Sequence, residues 1–341
     1  MPSMYPLKFK PFLRTMVWGG KKIARYKGIR TEDGHVGESW EVSDVPGHES
    51  VVANGALKGR NLTELVREYK GRLVGERVYA RNGDEFPLLV KFIDALSDLS
   101  IQVHPDDAMA MRRHGEQNGK TEMWYVIDAD PGACLYSGLT EEITPEEYAR
   151  RVADGTVTDV LARHEVHPGD VFFLPAGRIH AICSGCFVAE IQQTSDLTYR
   201  IYDYGRLGLD GKPRELHTEL AKEAIDYKVY PSYRTDYTPG KDREVELVSC
   251  KYFTTSLLDL ERRFRKDLSD LDSFVIVMCL SGSGTLTDAE PVYDEEGRRG
   301  PTKGHRTSLR QGETVLIPAS SQNITFTPSG EGMKVLTSYV K

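Results

Sequence analysis

One short pattern occurs twice in this chain and limits its fold more than any other feature. Gly169-Asp170-Val171-Phe172-Phe173-Leu174-Pro175-Ala176 returns as Gly312-Glu313-Thr314-Val315-Leu316-Ile317-Pro318-Ala319, 143 positions later (312 minus 169). In each copy a glycine makes a turn and a β-branched or aromatic run makes a strand. A proline, which cannot donate to a ladder, then ends it. The same pattern runs through the first two thirds of the chain. Residues 87–92, 99–103, 123–127, 171–174, 179–182 and 187–192 are strand-forming runs bounded by Gly, Pro, Asp or Ser. Helical periods are fewer. Leu62, Leu65, Val66 and Tyr69 recur at i, i+3, i+4 and i+7 behind Asn61, which can cap. Thr144-Pro145-Glu146-Glu147 has the form of a capping box with proline at the first helical position, opening a helix to about residue 152. A third helix is expected over 217–226. Many short strands with few helices imply a mainly β protein.

The segment 228–243 (KVYPSYRTDYTPGKDR) carries two prolines, a glycine and little apolar periodicity. We therefore expect two β domains, 1–235 and 236–341. A length of 341 residues agrees, at roughly 150 residues per domain. The offset of the repeat carries His180 onto Asn323, so the C-terminal domain is expected to lack the ligands discussed below.

Composition narrows the function. There are 44 basic and 51 acidic residues, a net charge of −7, which provides no basic field for phosphate backbones and argues against a nucleic-acid partner. The longest apolar runs, 171–175 and 274–280, are far short of the roughly 20 residues that span a bilayer. The start, MPSMYPLKFKPFL, has no apolar signal core, so no membrane partner and a cytoplasmic location are expected. The five cysteines are sparse and odd in number, which fits a reducing compartment. Cys183 and Cys186 form a C-x-x-C, but in a strand-turn-strand setting that reads as turn filler.

Most of the nine histidines (His35, His48, His114, His164, His167, His217 and His305) sit in polar, loop-like contexts and are expected at the surface. His104 differs. In Ser100-Ile101-Gln102-Val103-His104-Pro105 alternate residues share a face, so Ser100, Gln102 and His104 point one way while Ile101 and Val103 pack the other. A polar face on a buried strand costs free energy unless a metal, ligand or network satisfies it. Lys120 and Glu122 share a face at the entry to another strand, and His180 follows a Pro-Ala-Gly turn. Two histidines, a carboxylate and an amide suit a first-row divalent metal, with zinc and non-haem iron both open. Either histidine alone would read as a satisfied core residue. Asp196, Thr198 and Arg200 alternate on a further polar face, where the arginine fork suits a phosphate or oxyanion, or else an ion pair with Asp196 or Asp203.

The repeated Gly-Asp/Glu pattern resembles the strand-and-turn signature of the cupin jelly roll. The expected fold class is mainly β: two cupin-like jelly-roll β-barrels or sandwiches with a few short helices. Longer blocks carry a sharper resemblance. PLLVKFIDALSDLSIQVHPDD (87–107), GKTEMWYVI (119–127) and VHPGDVFFLPAGRIHAI with EIQQTSDLTYRIYDYGR (166–206) are similar to type I mannose-6-phosphate isomerases of the short bacterial form. PLKFKP, Trp18-Gly19-Gly20 and the segment 37–43 fit the same family. The long helical insertion of larger members, which lies between the metal-ligand segments, is missing.

The resemblance implies a cytoplasmic, zinc-dependent aldose–ketose isomerase with one Zn2+ per chain and a small phosphosugar substrate. Mannose 6-phosphate and fructose 6-phosphate would interconvert through a cis-enediol. The family's ligands fall on Gln102, His104, Glu122 and His180. Its catalytic groups fall on Arg200, Lys120 and Asp196, and its substrate-binding groups on Ser100, Lys120 and Arg200. Glu190, Asp196 and a metal-bound water all remain open as the base. An iron-dependent dioxygenase and a non-catalytic sugar-binding cupin are the rival classes, opposed by Gln102, Lys120 and the other charged groups expected around the metal.

Overall fold

The computed structural model describes residues 4–31, 34–293 and 299–341. The architecture is mainly β, with antiparallel sheets and short helices. The chain divides into two compact units: one holds Leu13–Trp40 and Leu89–Thr235, the other the residues up to Phe12, Glu41–Leu88 and Asp236–Lys341. One edge of this division meets the expected boundary at 235/236. The N-terminal strand and the helices within residues 62–82, expected with the first domain, instead group with the C-terminal residues. The reason is a long-range ladder. Leu7–Lys10 pairs with Thr314–Ile317 in the register Leu7↔Leu316 and with Val51–Val52 on its other side. Local sequence patterns carry no signal for such pairing.

The unit of 13–40 and 89–235 is a β-sandwich. Its six-stranded sheet runs in the order Val171–Leu174, Glu122–Ala129, Cys186–Gln193, Leu88–Asp94, Val36–Val42 and Phe12–Gly20. Its five-stranded sheet runs Tyr199–Tyr202, Ile101–Val103, His180–Ile182, Cys134–Leu139 and Leu161–Glu165. Trp124, Val126, Phe172 and Val188 of the first sheet pack with Leu135 and Ile182 of the second in one core cluster. A second cluster covers the far face of the smaller sheet, where Ile101, Val103, Ala181 and Ile201 meet Tyr148, Ala221 and Ile225 of the helical segments. With both of its faces covered, the small sheet buries Ile101 and Val103 on one side and turns Gln102 to the other.

Helix Pro145–Ala153 starts where expected, with the Thr144 side chain accepting from the Glu147 N–H at 3.1 Å. The returning half of the capping box is not what Glu147 makes. Its carboxylate lies 2.9 Å from Arg151, one helical turn on, and a charged partner outcompetes a backbone N–H. The reciprocal box forms instead between Asn61 and Glu64 at the start of Leu62–Tyr69.

The other unit holds a ten-stranded sheet. Its core includes Leu258, Val277, Leu286, Val315, Ile324 and Phe326. The repeat has the same shape in both units. Gly169 and Gly312 take positive φ (98° and 78°), the strands Val171–Leu174 and Thr314–Ile317 follow, and the next strands open at His180 and Asn323.

Candidate metal centre

Strand register brings the polar residues together. Antiparallel partners directly opposite one another project to the same face. On the small sheet Gln102 stands opposite both His180 and Arg200, and His180 opposite Ser137. On the large sheet Glu122 stands opposite Gln192, and Trp124 opposite Glu190. His104, just past its strand, is 2 % exposed, Glu122 0 % and His180 1 %.

Their hydrogen bonds fix the tautomers. His104 Nδ1 donates to the Leu197 carbonyl and His180 Nδ1 to the Arg178 carbonyl, each at 2.8 Å. A carbonyl only accepts, so both Nδ1 atoms carry the proton and both Nε2 atoms present a lone pair. Those lone pairs face Glu122: His180 Nε2 is 3.2 Å from Oε1 and His104 Nε2 is 3.6 Å from Oε2. Burial pushes both imidazoles down, with the Lys120 charge adding to the effect, and His180 falls to about 3. Burial pushes the Glu122 carboxyl up, to about 7, and the neighbouring Glu190 charge adds to that.

With Glu122 ionised, three acceptors converge in a buried site, and among the described residues its Oε1 meets no hydrogen-bond donor. Lone pairs aimed at one another repel unless a cation lies between them. The ammonium of Lys120 answers this in part, 2.7 Å from Glu122 Oε2 and 3.0 Å from His104 Nε2. A divalent ion fits the donor set better. The ligand atoms of His104, Glu122 and His180 all lie within 4.8 Å of one another. Ligands about 2.0–2.1 Å from a tetrahedral ion stand about 3.3 Å apart, close to the separations found. A carbonyl on each Nδ1–H is also the usual support of a metal-binding histidine. Gln102 Nε2 lies 3.3 Å from His180 Nε2, and turning the amide over brings its oxygen to the same place.

Gln102 and Lys120 also line an adjoining cavity of about 240 Å³. Its wall carries Arg14, Lys91, Arg200 and Arg214 against Glu38, Glu190 and Asp196. Lys91 lies 2.9 Å from Glu190 and 3.7 Å from Glu38, and Trp124 Nε1 donates to Glu190 at 2.6 Å. Burial would lower the lysine and raise Glu190. Their mutual attraction outweighs it, holding Lys91 above its ordinary value and Glu190 below. Both are therefore charged at neutral pH.

Ser100, Gln102, Lys120, Asp196 and Arg200 all line this cavity, while His104, Glu122 and His180 form the buried group beside it. Asp196 lies 3.5 Å from Arg14 at the rim. Neither Asp196 nor Asp203 holds Arg200: Asp203 binds Arg206 and Arg214. Arg200 Nη1 donates to the Glu215 carbonyl at 2.9 Å, and its buried Nε meets no acceptor among the described residues. Burial, then the Arg214 charge, pushes its pKa down.

The surface expectation holds for His114, which is exposed and only tethered by a hydrogen bond, but not for the half-buried His164 and His217. His217 lines the cavity and its Nδ1 accepts the Arg200 N–H at 3.1 Å. His164 Nε2 meets the Ser137 carbonyl at 3.2 Å, and His114 Nε2 meets the Tyr199 hydroxyl at 2.8 Å. The sequence patterns do not single out Lys91, Arg14 or Arg214 as site residues, and they give Glu38 only as part of the family segment 37–43. Lys91 has a readable signal: it is a charge flanked by apolar residues within Leu88–Asp94, all seven residues of which are buried.

Comparison with known proteins agrees with this geometry. Residues 7–138 match the family model of the type I phosphomannose isomerase catalytic domain. Mannose-6-phosphate isomerase ManA of Bacillus subtilis is 36 % identical over 290 residues, covering 84 % of this chain and 89 % of that protein. The chain belongs to the type I mannose-6-phosphate isomerases. The mannose-6-phosphate isomerase of Streptococcus mutans is 33 % identical over 325 residues, 94 % of this chain and 95 % of that protein. The crystal structure of a Bacillus subtilis mannose 6-phosphate isomerase superposes with a TM-score of 0.85 at 31 % identity, covering 99 % of this chain and 100 % of that one. The cupin fold expected for the chain is that of its family. No helix among the described residues is long and apolar enough to cross a membrane.

Proposed function

We propose that the protein interconverts mannose 6-phosphate and fructose 6-phosphate in the cytoplasm, using one zinc ion held by His104, Glu122, His180 and Gln102. The observation that carries this reading is the convergence of two imidazole lone pairs and a buried carboxylate beside a cavity rich in arginine and lysine. A divalent ion there is a Lewis acid that lowers the energy of negative charge on a neighbouring sugar oxygen. The rest falls to the chain's own groups.

Isomerisation moves a proton from C2 to C1 of the open-chain sugar through a cis-enediol. Lys120 and Arg200 supply positive charge and N–H donors toward the developing oxyanion and the phosphate, in a site where water is largely excluded. Ser100 adds a hydroxyl on the same wall. The base must be an ionised group that the substrate can reach. Glu190 fits best: it is 3 % exposed, lines the cavity and is held ionised by Lys91. Asp196, whose side chain is 51 % exposed beside Arg14, serves better to orient the rim.

The test is proton NMR of mannose 6-phosphate with the zinc-loaded protein in D2O. Fructose 6-phosphate should form, with deuterium entering at the exchanging carbon as turnover continues. No product removes the isomerase reading, whereas deuterium in the product requires proton transfer through an enediol and excludes a hydride shift as the sole route.

A further inference from the structure

The turn Pro175-Ala176-Gly177-Arg178 is connected to every member of the buried His–Glu–His group. The Gly177 N–H donates to the His104 carbonyl at 2.9 Å. The Ala176 N–H donates to Thr121 Oγ1, one residue before Glu122, at 3.2 Å. The Arg178 carbonyl accepts the His180 Nδ1–H at 2.8 Å and so sets the plane of that ring.

The turn is gripped from outside by its own arginine. Arg178 is 7 % exposed, and its guanidinium carbon lies 4.7 Å from the ring centre of Tyr230 and 4.6 Å from that of Tyr233. The two rings are 6.1 Å apart and inclined at 66°, so the cation occupies a notch between them. Both walls of the notch are fixed. The Tyr233 hydroxyl donates to the Leu139 carbonyl at 2.8 Å and accepts the Leu139 N–H at 3.1 Å. The Tyr230 hydroxyl donates to Asp226 at 2.6 Å, and the Asp226 N–H returns to the Gly177 carbonyl at 2.8 Å. A desolvated guanidinium over two aromatic faces is a stronger contact than the same pair at the surface.

We propose that Arg178, held between Tyr230 and Tyr233, is a positioning residue that orients His180 and thereby sets how tightly the buried group retains a divalent metal. The proposal rests on the metal reading given above. Outright loss of a hydrogen-bond partner of a metal ligand typically costs about 10–100-fold in affinity. The Arg178 carbonyl survives truncation of the side chain, so loosening the turn that aims it should give the lower end of that range.

The experiment loads the full-length protein with cobalt(II), records its visible bands and follows transfer of the ion to excess chelator. Arg178→Ala and Tyr230→Ala should release cobalt about tenfold faster than the wild type, with shifted bands. Tyr230→Phe keeps the ring but loses the bond to Asp226 and should release more slowly than Tyr230→Ala. Tyr230 is 38 % exposed, so Tyr230→Ala opens no core cavity and decides the matter even where Arg178→Ala fails to fold. Variants that melt earlier but keep the wild-type bands and release rate overturn the clamp alone. Wild-type protein that takes up no cobalt overturns the metal centre and the clamp with it.

Discussion

His104, Glu122 and His180 together are an arrangement that a folded chain rarely tolerates without a cation. Two neutral imidazoles turn their lone pairs toward a carboxylate that has the Lys120 ammonium beside one of its oxygens. The cost appears in the pH dependence of the metal-free protein. His180 is held at about 3 and His104 well below 6.5, so as the pH falls below 6.5 the unfolded chain takes up two protons that the folded one refuses. That lowers stability as pH falls. Glu122, raised to about 7, works in the opposite sense between about 7 and 4.5, where the folded state binds the extra proton. Two groups outweigh one, so chelator-treated protein should lose thermal stability between pH 7 and pH 5. In His180→Gln one of the two opposing protons disappears, and the fall should be smaller by up to about 1.4 kcal/mol per pH unit. Thermal melts of both proteins across this range check it, and parallel declines would contradict the assignment of the protonation states.

At the scale of elements, period-two alternation made the ligands readable. Gln102 between Ile101 and Val103 could only face away from their core, and the register opposite His180 and Arg200 completed the row. The turn proline and glycine around Leu174 and His180 marked the next strands. What could not be read depends on contacts distant in sequence. Lys91, Glu38 and Arg14 enter the site from strands whose place in the six-stranded sheet no local pattern specifies. His217 looked like a surface histidine because its partner, the Arg200 N–H, belongs to another segment. The same long-range packing makes Gly138 irreplaceable. It takes φ of 82°, and an added Cβ would lie 2.1 Å from the Tyr233 ring. Gly138→Ala combines left-handed strain with overpacking and should destabilise by on the order of 2 to 4 kcal/mol. Urea denaturation measures this. A loss under about 0.5 kcal/mol, the range of neutral surface changes, would mean that the Tyr233 wall is not fixed.

Over the whole molecule, one β-roll pattern has been used twice with different outcomes. The copy at 169–176 leads into His180 and the buried ligand group, whereas the copy at 312–319 leads into Asn323. Among the described residues the one group of histidine and carboxylate side chains close enough to share a metal is His104, Glu122 and His180. That group lies in the unit of 13–40 and 89–235. In the proposed reaction turnover needs the ion. The most direct measurement is the rate of fructose 6-phosphate formation from mannose 6-phosphate by the purified protein, before chelation, after it and after zinc is returned. Activity lost to the chelator and restored by stoichiometric zinc is the predicted result, while full activity in protein shown to be metal-free would contradict the account.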